Sequence, residues 1–264
     1  MIGYLFTIII SLMLAATAFA APPDAGDIMK KSQAAFFYQG ADFKARVEMT
    51  LVGKTGAERR RELTMLRKNY GPSGGDQKYF IYFFKPLDVK DMAFMVYKYP
   101  KKDDDRWLFV PGLNMVRRIA AQDAHSSFVG SDFTYEDVSG RDLDDDTHTV
   151  VREEKIGSLD CYVVKSVPFK ESGSAHKLSW IDKGSFLPFK EEYYDKKGAL
   201  VKVFTAVEVK EVSGRLTVTR RRMENVQTGT KTEVVYVKAE YNVGIEDSLF
   251  TERYLKQPPK RLVE

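Results

Sequence analysis

Residues 43–51 read FKARVEMTL, and this stretch sets the class of fold. Apolar and polar residues alternate along it, so Phe43, Val47 and Leu51 fall on one face of an extended chain. The charged residues Lys44 and Glu48 fall on the other face. The stretch therefore predicts a β-strand with one buried and one polar face.

Strand patterns continue on both sides of residues 121–146, a central insertion that has no clear period and is rich in Asp, Ser and Gly. Short connections with turn signals, such as Lys196-Lys197-Gly198, are typical of antiparallel hairpins. Residues 24–38 have the cap and the three-and-four spacing of a helix. The other predicted strands cover residues 62–66, 79–84, 93–99, 107–110, 147–156, 160–168, 177–182, 188–195, 199–212, 215–225 and 232–241.

These elements predict a mainly β fold with helices (α+β), built on one antiparallel sheet of about eleven strands. A sheet of this size must curl or close. If it curls without closing, its concave face needs a cover, for which the N-terminal helix and the central insertion are the candidates. The wall of the resulting groove is predicted to be Phe43, Val47, Met49, Phe80, Tyr82, Phe84, Phe94, Val96, Trp107, Phe109 and Trp180.

Ordinary core packing is the alternative for each of these wall residues. Residues 79–84 are apolar on both faces of a strand, so the sequence leaves open which of them point inward.

The composition excludes several classes of protein. Of 264 residues, 44% are hydrophobic and 30% are charged, which is typical of a folded chain and not of a disordered one. The net charge of +4 is too small to indicate nucleic-acid binding. One Cys and three scattered His provide no disulfide and no motif for a metal centre, so we expect neither a metal nor a cofactor.

The N-terminus carries an export signal. Residues 2–20 hold no charged side chain and end in Ala18-Phe19-Ala20, which predicts a signal peptide (residues 1–20) that is cut after Ala20. An uncleaved anchor is the alternative. Residues 21–264 are then expected to form a single domain in the periplasm.

Short basic runs stand out among the polar residues. Arg117-Arg118 and Arg220-Arg221-Arg222 are suited to phosphate headgroups or an acidic partner, with solvated strand faces as the alternative. We single out Arg117 and Arg118 as headgroup or partner contacts. The acidic residues of the central insertion that we expect to pair with them are Asp132, Glu136 and Asp137.

Three motifs carry a resemblance to a known family: WLFVPGL at residues 107–113, SFVGSDFTYED at residues 127–137 and WIDK at residues 180–183. Together they resemble the outer-membrane lipoprotein-sorting proteins, which are distant relatives of the lipoprotein carrier LolA. The resemblance extends over residues 27–249. It implies an open, incomplete β-barrel that is closed by helices, an apolar cavity for lipid or lipoprotein acyl chains, and an RND-type inner-membrane exporter as partner.

A lipid carrier needs an apolar binding surface and a segment that opens to admit the ligand, and it needs no catalytic residue. We therefore predict a monomeric, non-enzymatic carrier that opens at the central insertion and the N-terminal helix, with Gly130, Phe133, Tyr135 and Gly140 as lid or hinge residues. An ordinary ordered loop is the alternative for this insertion.

Two other functions remain open at this point. One is a fixed periplasmic subunit of an exporter that does not shuttle lipid. The other is a hydrolase that uses paired carboxylates such as Glu136 and Asp137, although the sequence contains no further sign of one.

Overall fold

The computed structural model describes residues 24–170 and 172–263. The predicted signal peptide, residues 1–20, lies outside these described residues. No helix in the described part of the chain is both long enough and apolar enough to cross a bilayer.

In the described part of the chain, thirteen antiparallel strands form one open sheet. The alternating segment of residues 43–51 lies at its centre, where it pairs with the strands on either side along nearly its whole length. The strands are β1 (Asp42–Val52), β2 (Glu58–Tyr70), β3 (Asp76–Lys85), β4 (Ala93–Lys98), β5 (Asp105–Val110), β6 (Met115–Ile119), β7 (Asp146–Ile156), β8 (Leu159–Pro168), β9 (His176–Asp182), β10 (Pro188–Tyr194), β11 (Leu200–Val212), β12 (Arg215–Asn225) and β13 (Thr230–Tyr241).

The strand order is β6-β5-β4-β3-β2-β1-β13-β12-β11-β10-β9-β8-β7. The chain thus builds the sheet outward from β1 to the β6 edge, and the central insertion carries it to the opposite edge at β7. The predicted open antiparallel sheet with an N-terminal helix is confirmed. The prediction of about eleven strands was low, partly because it did not count residues 115–119 as a strand.

Helix α1 (Ala25–Phe37) begins where the side chain of Asp24 accepts a hydrogen bond from the Asp27 N–H at 2.8 Å. It buries Ile28 and Met29 against Val164 and Ile181 on the far half of the sheet. We call the sheet face that carries α1 and the central insertion the inner face. The opposite side is the outer face.

The largest apolar cluster covers the inner face of β1 to β5 and extends to Phe204 of β11, Met223 of β12 and Val234 of β13, and side chains of the central insertion enter it. Phe128, Phe133 and Tyr135, the last in the short helix α2 (Tyr135–Ser139), are each no more than 6% exposed there. Phe94 of β4 contacts the ring of Phe128 with a centroid distance of 5.3 Å. Over this half of the sheet, the insertion fills the interior.

The C-terminal tail, residues 242–263, covers part of the outer face. It contains the helices α3 (Glu252–Lys256) and α4 (Lys260–Val263), and its Leu249 and Leu255 are fully buried. The carboxylate of Asp42 accepts hydrogen bonds from three consecutive backbone N–H groups at the start of the tail, at 2.7 to 2.9 Å. The tail is therefore an integral part of the domain.

Candidate functional site

The inner face is not filled everywhere. A cavity of about 360 Å³ lies between α1, the central insertion and the inner side of strands β8 to β12. Its volume falls at the low end of the range of about 300–1,000 Å³ that is typical of small-molecule sites. The cavity is large enough to hold one small ligand or part of one chain-like ligand.

Aromatic rings and a methionine supply the apolar part of the cavity wall. Phe36 and Phe37 reach it from α1, Phe133 from the insertion, and Phe204 and Met223 from β11 and β12. The ring of Phe36 contacts the ring of Phe204 edge-on, with a centroid distance of 5.9 Å. This contact joins the helix to the sheet beside the cavity, where it presents hydrocarbon surface to a ligand.

The central insertion is fixed above the cavity by its acidic residues. In α2, Thr134 and Asp137 form a capping box, with each side chain bonded to the other residue's backbone N–H. The same Asp137 carboxylate accepts a hydrogen bond from Lys202 Nζ of β11 at 2.7 Å. The Asp132 carboxylate accepts hydrogen bonds from the hydroxyls of Thr230 and Thr232.

A second ionic group lies at the junction of the insertion and β7. Arg141 donates to Glu136 at 2.9 Å and to Asp146 at 2.8 Å, and His125 Nδ1 lies 3.3 Å from Glu136. Burial alone would raise the pKa of Glu136, but the hydrogen bond with His125 and the charge of Arg141 outweigh it and lower that pKa to about 2. Glu136 is therefore a carboxylate at neutral pH.

Residues of β9 and β10 form the third polar group of the cavity wall. Lys177 Nζ and Ser179 Oγ both donate to Glu191, at 2.7 and 3.0 Å, and the Tyr193 hydroxyl donates to the same carboxylate at 2.7 Å. Burial lowers the pKa of Lys177, yet the charge of Glu191 outweighs this effect and leaves the pKa raised. The lysine is thus held in its charged form by a neighbour within the protein.

The prediction that the acidic residues of the insertion pair with Arg117 and Arg118 is wrong. These acidic residues do hold the insertion in place, but with other partners. Their partners are Thr230 and Thr232 for Asp132, Arg141 and His125 for Glu136, and Lys202 for Asp137. Arg117 is exposed, and Arg118 of β6 pairs with Asp105 on the neighbouring strand.

The predicted groove-wall residues divide between the two faces of the sheet. On the inner face, under the central insertion, lie Phe43, Val47, Met49, Phe94 and Val96. The other six belong to clusters on the outer face, five beside the C-terminal tail and one farther along the sheet: Phe80, Tyr82, Phe84, Trp107, Phe109 and Trp180. None of the eleven lines the 360 Å³ cavity.

The predicted lid and hinge residues occupy different positions in the insertion. Phe133 and Gly140 line the cavity, and Tyr135 is buried, with Phe133, in the large apolar cluster of the inner face. Gly140 has φ +80, and a Cβ at this position would lie 3.1 Å from the ring of Phe37. This glycine therefore allows the insertion to approach α1 closely. Gly130 also has a positive φ, of 74°, but has open space around it.

Sequence reasoning missed most of the cavity-lining residues of α1 and of strands β9 to β12. One available signal was the pair Lys202 and Phe204, which share one face of β11. Within residues 24–170 and 172–263, no group of three or more His, Cys, Asp or Glu is placed to hold a metal ion.

Known proteins share this architecture. A family model described as "Uncharacterized protein" matches residues 75–257, more than half of the chain. Comparison with curated proteins gave no match. Among solved structures, an outer-membrane lipoprotein-sorting protein domain from Vibrio parahaemolyticus is 29% identical with a TM-score of 0.81, and the match covers 88% of this chain and 98% of that one.

Two further solved structures are similar. A DUF1329 family protein from Desulfovibrio piger is 28% identical with a TM-score of 0.80, over 88% of this chain and 97% of that one. A LolA superfamily protein from Nitrosomonas europaea is 21% identical with a TM-score of 0.70, over 88% of this chain and 100% of that one. The last likeness is evidence for the fold alone.

Proposed function

Because this chain belongs to the LolA-like structural family of outer-membrane lipoprotein-sorting domains, we propose that it is a carrier that holds an acyl chain of a lipid or lipoprotein. LolA-like proteins are periplasmic and typically have no enzymatic activity. The proposal accordingly places this protein in the periplasm, with residues 1–20 as its signal peptide and residues 21–264 as one carrier domain.

The single observation that supports the proposal best is the cavity beside α1. Its apolar wall of Phe36, Phe133, Phe204 and Met223 belongs to the margin of the large apolar cluster of the inner face, and beside these residues the interior is left unfilled. A chain of about sixteen carbons gains roughly 12 kcal/mol when it leaves water, at about 0.8 kcal/mol per methylene. Binding costs of several kcal/mol reduce this gain but leave a stable complex.

The inner-face part of the groove wall predicted from the sequence enters the proposal as a second binding position, which the central insertion covers. The inner-face residues Phe43, Val47, Met49, Phe94 and Val96 lie under the central insertion. A longer chain would reach them only after this insertion moves, which is the lid motion proposed for Gly130, Phe133, Tyr135 and Gly140. The acyl chain therefore enters beside α1 first and extends under the insertion second.

The experiment that tests the proposal is mass spectrometry of lipids that co-purify with the protein from the periplasm. A matched pair of variants on β11 localises the site. Val201 lines the cavity, whereas Val207 is 40% exposed and absent from its lining. We expect Val201→Glu to lose most of the bound lipid and Val207→Glu to retain it.

Circular dichroism and thermal unfolding verify that both variants fold. Absence of lipid from the wild-type protein, or equal lipid on both variants, would contradict the proposal. Tight and permanent association with a membrane protein, without any release of lipid, would instead indicate the fixed exporter subunit.

A finer part of the proposal is that the carrier exchanges its cargo with an RND-type exporter. The β5–β6 hairpin suits such a contact, because Leu113 and Met115 are 68% and 45% exposed and Arg117 and Arg118 follow them. A photo-crosslinker at position 113 should form an adduct with an inner-membrane exporter in intact cells. A crosslinker at exposed position 237 on β13 serves as the control, and equal labelling from both positions would contradict this contact.

A further inference from the structure

The geometry points to Arg221 as an anion-binding residue inside the cavity, and to an amphiphile with an acidic head, a carboxylate or a phosphate, as the ligand. The inference rests on the proposed function, since it names the chemical class of what the carrier holds. It is supported by the position of Arg221, by the missing partner of its guanidinium group and by the pairing of the charges around it.

Arg221 differs from both of its neighbours in the basic run of β12. Arg220 is half exposed and pairs with Glu233 at 2.8 Å, and Arg222 lies 4.0 Å from Glu224. Because side chains alternate along a strand, Arg221 points to the opposite face, where it lines the cavity and a small adjoining void of about 30 Å³. It is the member of the run that a bound ligand can reach.

The guanidinium group of Arg221 has aromatic neighbours and no acceptor. Among the described residues, no hydrogen bond or ion pair involves this side chain, and its buried Nε has no partner. Three rings lie around it at 5.2 to 5.9 Å from its central carbon: those of Phe36, Phe133 and Tyr236. Cation–π contacts offset part of the cost of burying a charge, but they leave the buried Nε–H group without an acceptor.

The other basic side chains of the cavity wall already have partners. Arg141 binds Glu136 and Asp146, Lys177 binds Glu191, and Lys202 binds Asp137. In the described part of the chain, Arg221 is thus the one cation of this wall that has no carboxylate. An anion that enters the cavity gains its strongest hydrogen bonds there.

The surroundings of Arg221 also select the rest of the ligand. The planar guanidinium group can donate two parallel hydrogen bonds to a carboxylate or a phosphate. Phe36 and Phe133 lie beside it, and both belong to the apolar wall of the cavity. A head bound at Arg221 therefore places an attached hydrocarbon tail directly against this wall.

Calorimetric titration of the folded, delipidated protein tests the inference with three probes: decanoate, decanol and inorganic phosphate. Wild-type protein should bind decanoate more tightly than decanol. Arg221→Met, which keeps the length of the side chain but removes the charge, should weaken decanoate binding by about 10–100-fold, as expected for loss of a hydrogen bond to a charged group. Decanol binding should stay within about 3-fold of wild type.

Two further variants serve as controls. Arg220→Met removes the exposed neighbour and should bind decanoate like the wild type, and Arg221→Lys should retain part of the preference for decanoate. Thermal unfolding of each variant verifies its fold, and should Arg221→Met not fold, the decanoate preference of Arg221→Lys relative to wild type tests the same point.

The outcomes separate the inference from the proposed function. If neither decanoate nor decanol binds the wild type, the carrier itself is contradicted. If both bind equally, or if Arg221→Met leaves decanoate binding unchanged, the anion site is overturned while the carrier stands. If inorganic phosphate alone binds as tightly as decanoate and depends on Arg221, the ligand is a free anion, and the amphiphile is overturned.

Discussion

The two halves of the sheet face the same cover but are packed differently. In the half formed by β1 to β5, large apolar side chains contact Phe128 and Tyr135 of the central insertion. The ring centroid of Phe94 lies 5.3 Å from that of Phe128 and 5.2 Å from that of Tyr135. In the half formed by β8 to β12, a cavity of about 360 Å³ remains between the sheet and the cover, beside the contacts of Met29, Phe36 and Asp137 with the sheet. We call these the filled half and the open half.

The difference follows from the residues at the inward positions. In the open half, long polar side chains such as Lys177, Glu191 and Lys202 occupy them and form hydrogen bonds with neighbours on the sheet or at the edge of the insertion. Because such pairs must keep their hydrogen bonds, they cannot collapse onto the cover as rings do. Charge pairing in one half thus preserves the space that aromatic packing removes in the other.

The largest expected effect tests the filled half. Phe94 is fully buried, so Phe94→Ala should lower the free energy of unfolding by about 3–5 kcal/mol. Val201 of the open half is half-buried, so Val201→Ala should lower the free energy of unfolding by less than about 1.5 kcal/mol. Urea denaturation measures both values, and a small effect at Phe94 together with lost lipid binding would mean that the binding groove lies in the filled half.

The next effect concerns pH. The pKa of Glu136 is about 2 in the folded chain against 4.5 ordinarily, so the folded chain binds fewer protons at this residue. Its contribution is therefore complete above pH 4.5 and is lost as the pH falls toward 2. We expect a loss of about 2–3 kcal/mol in this window.

Urea denaturation between neutral pH and the acid limb measures this dependence. Glu136→Gln should flatten it, because the amide does not titrate. The same slope in wild type and variant would show that other carboxyls account for the acid sensitivity.

A smaller effect is expected where the insertion joins the open half. Lys202→Met removes the partner of Asp137 and leaves this largely buried carboxylate without its cation. We expect a loss of about 1–2 kcal/mol and faster hydrogen exchange in α2. Lys210→Met on the same strand, whose pair with Glu208 is exposed, should change stability by less than about 0.5 kcal/mol.

The smallest effect concerns the edge of the sheet at β6. Arg118 is 69% exposed and pairs with Asp105 at the surface, so Arg118→Ala should change stability by less than about 1 kcal/mol. If this edge meets headgroups or the exporter, the Arg118→Ala variant should transfer lipid to membranes more slowly than the wild type, although its free energy of unfolding is nearly unchanged. Unchanged transfer by Arg118→Ala combined with Arg117→Ala would remove these two residues from the proposed contact.

The sequence was sufficient for the parts of the fold that depend on local pattern. The alternation of residues 43–51 predicted β1, and capping and spacing predicted α1. Residues 79–84 could not be oriented, because both faces of β3 are buried: Tyr79 and Phe83 pack inward, and Phe80 packs against the C-terminal tail. That tail includes α3 and the buried Leu255, which local pattern did not predict.

The cavity could not be predicted from local sequence patterns either, for a different reason. Its polar wall depends on pairs that are distant along the chain, such as Asp137 with Lys202, which are 65 positions apart. Neither partner differs in sequence from an exposed charged residue. The motif at residues 127–137 did indicate the insertion as important, but its partners are set by the order of strands across the sheet.

The central claim is that the open half holds an acyl chain, and a terminally brominated decanoate tests it most directly. Anomalous diffraction from crystals of the protein with this ligand locates the bromine atom. The account predicts a peak inside the cavity, beside Phe204 and Met223, with the carboxylate at Arg221. Bromine between the outer face and the C-terminal tail, or a cavity that stays empty at saturating ligand, would contradict it.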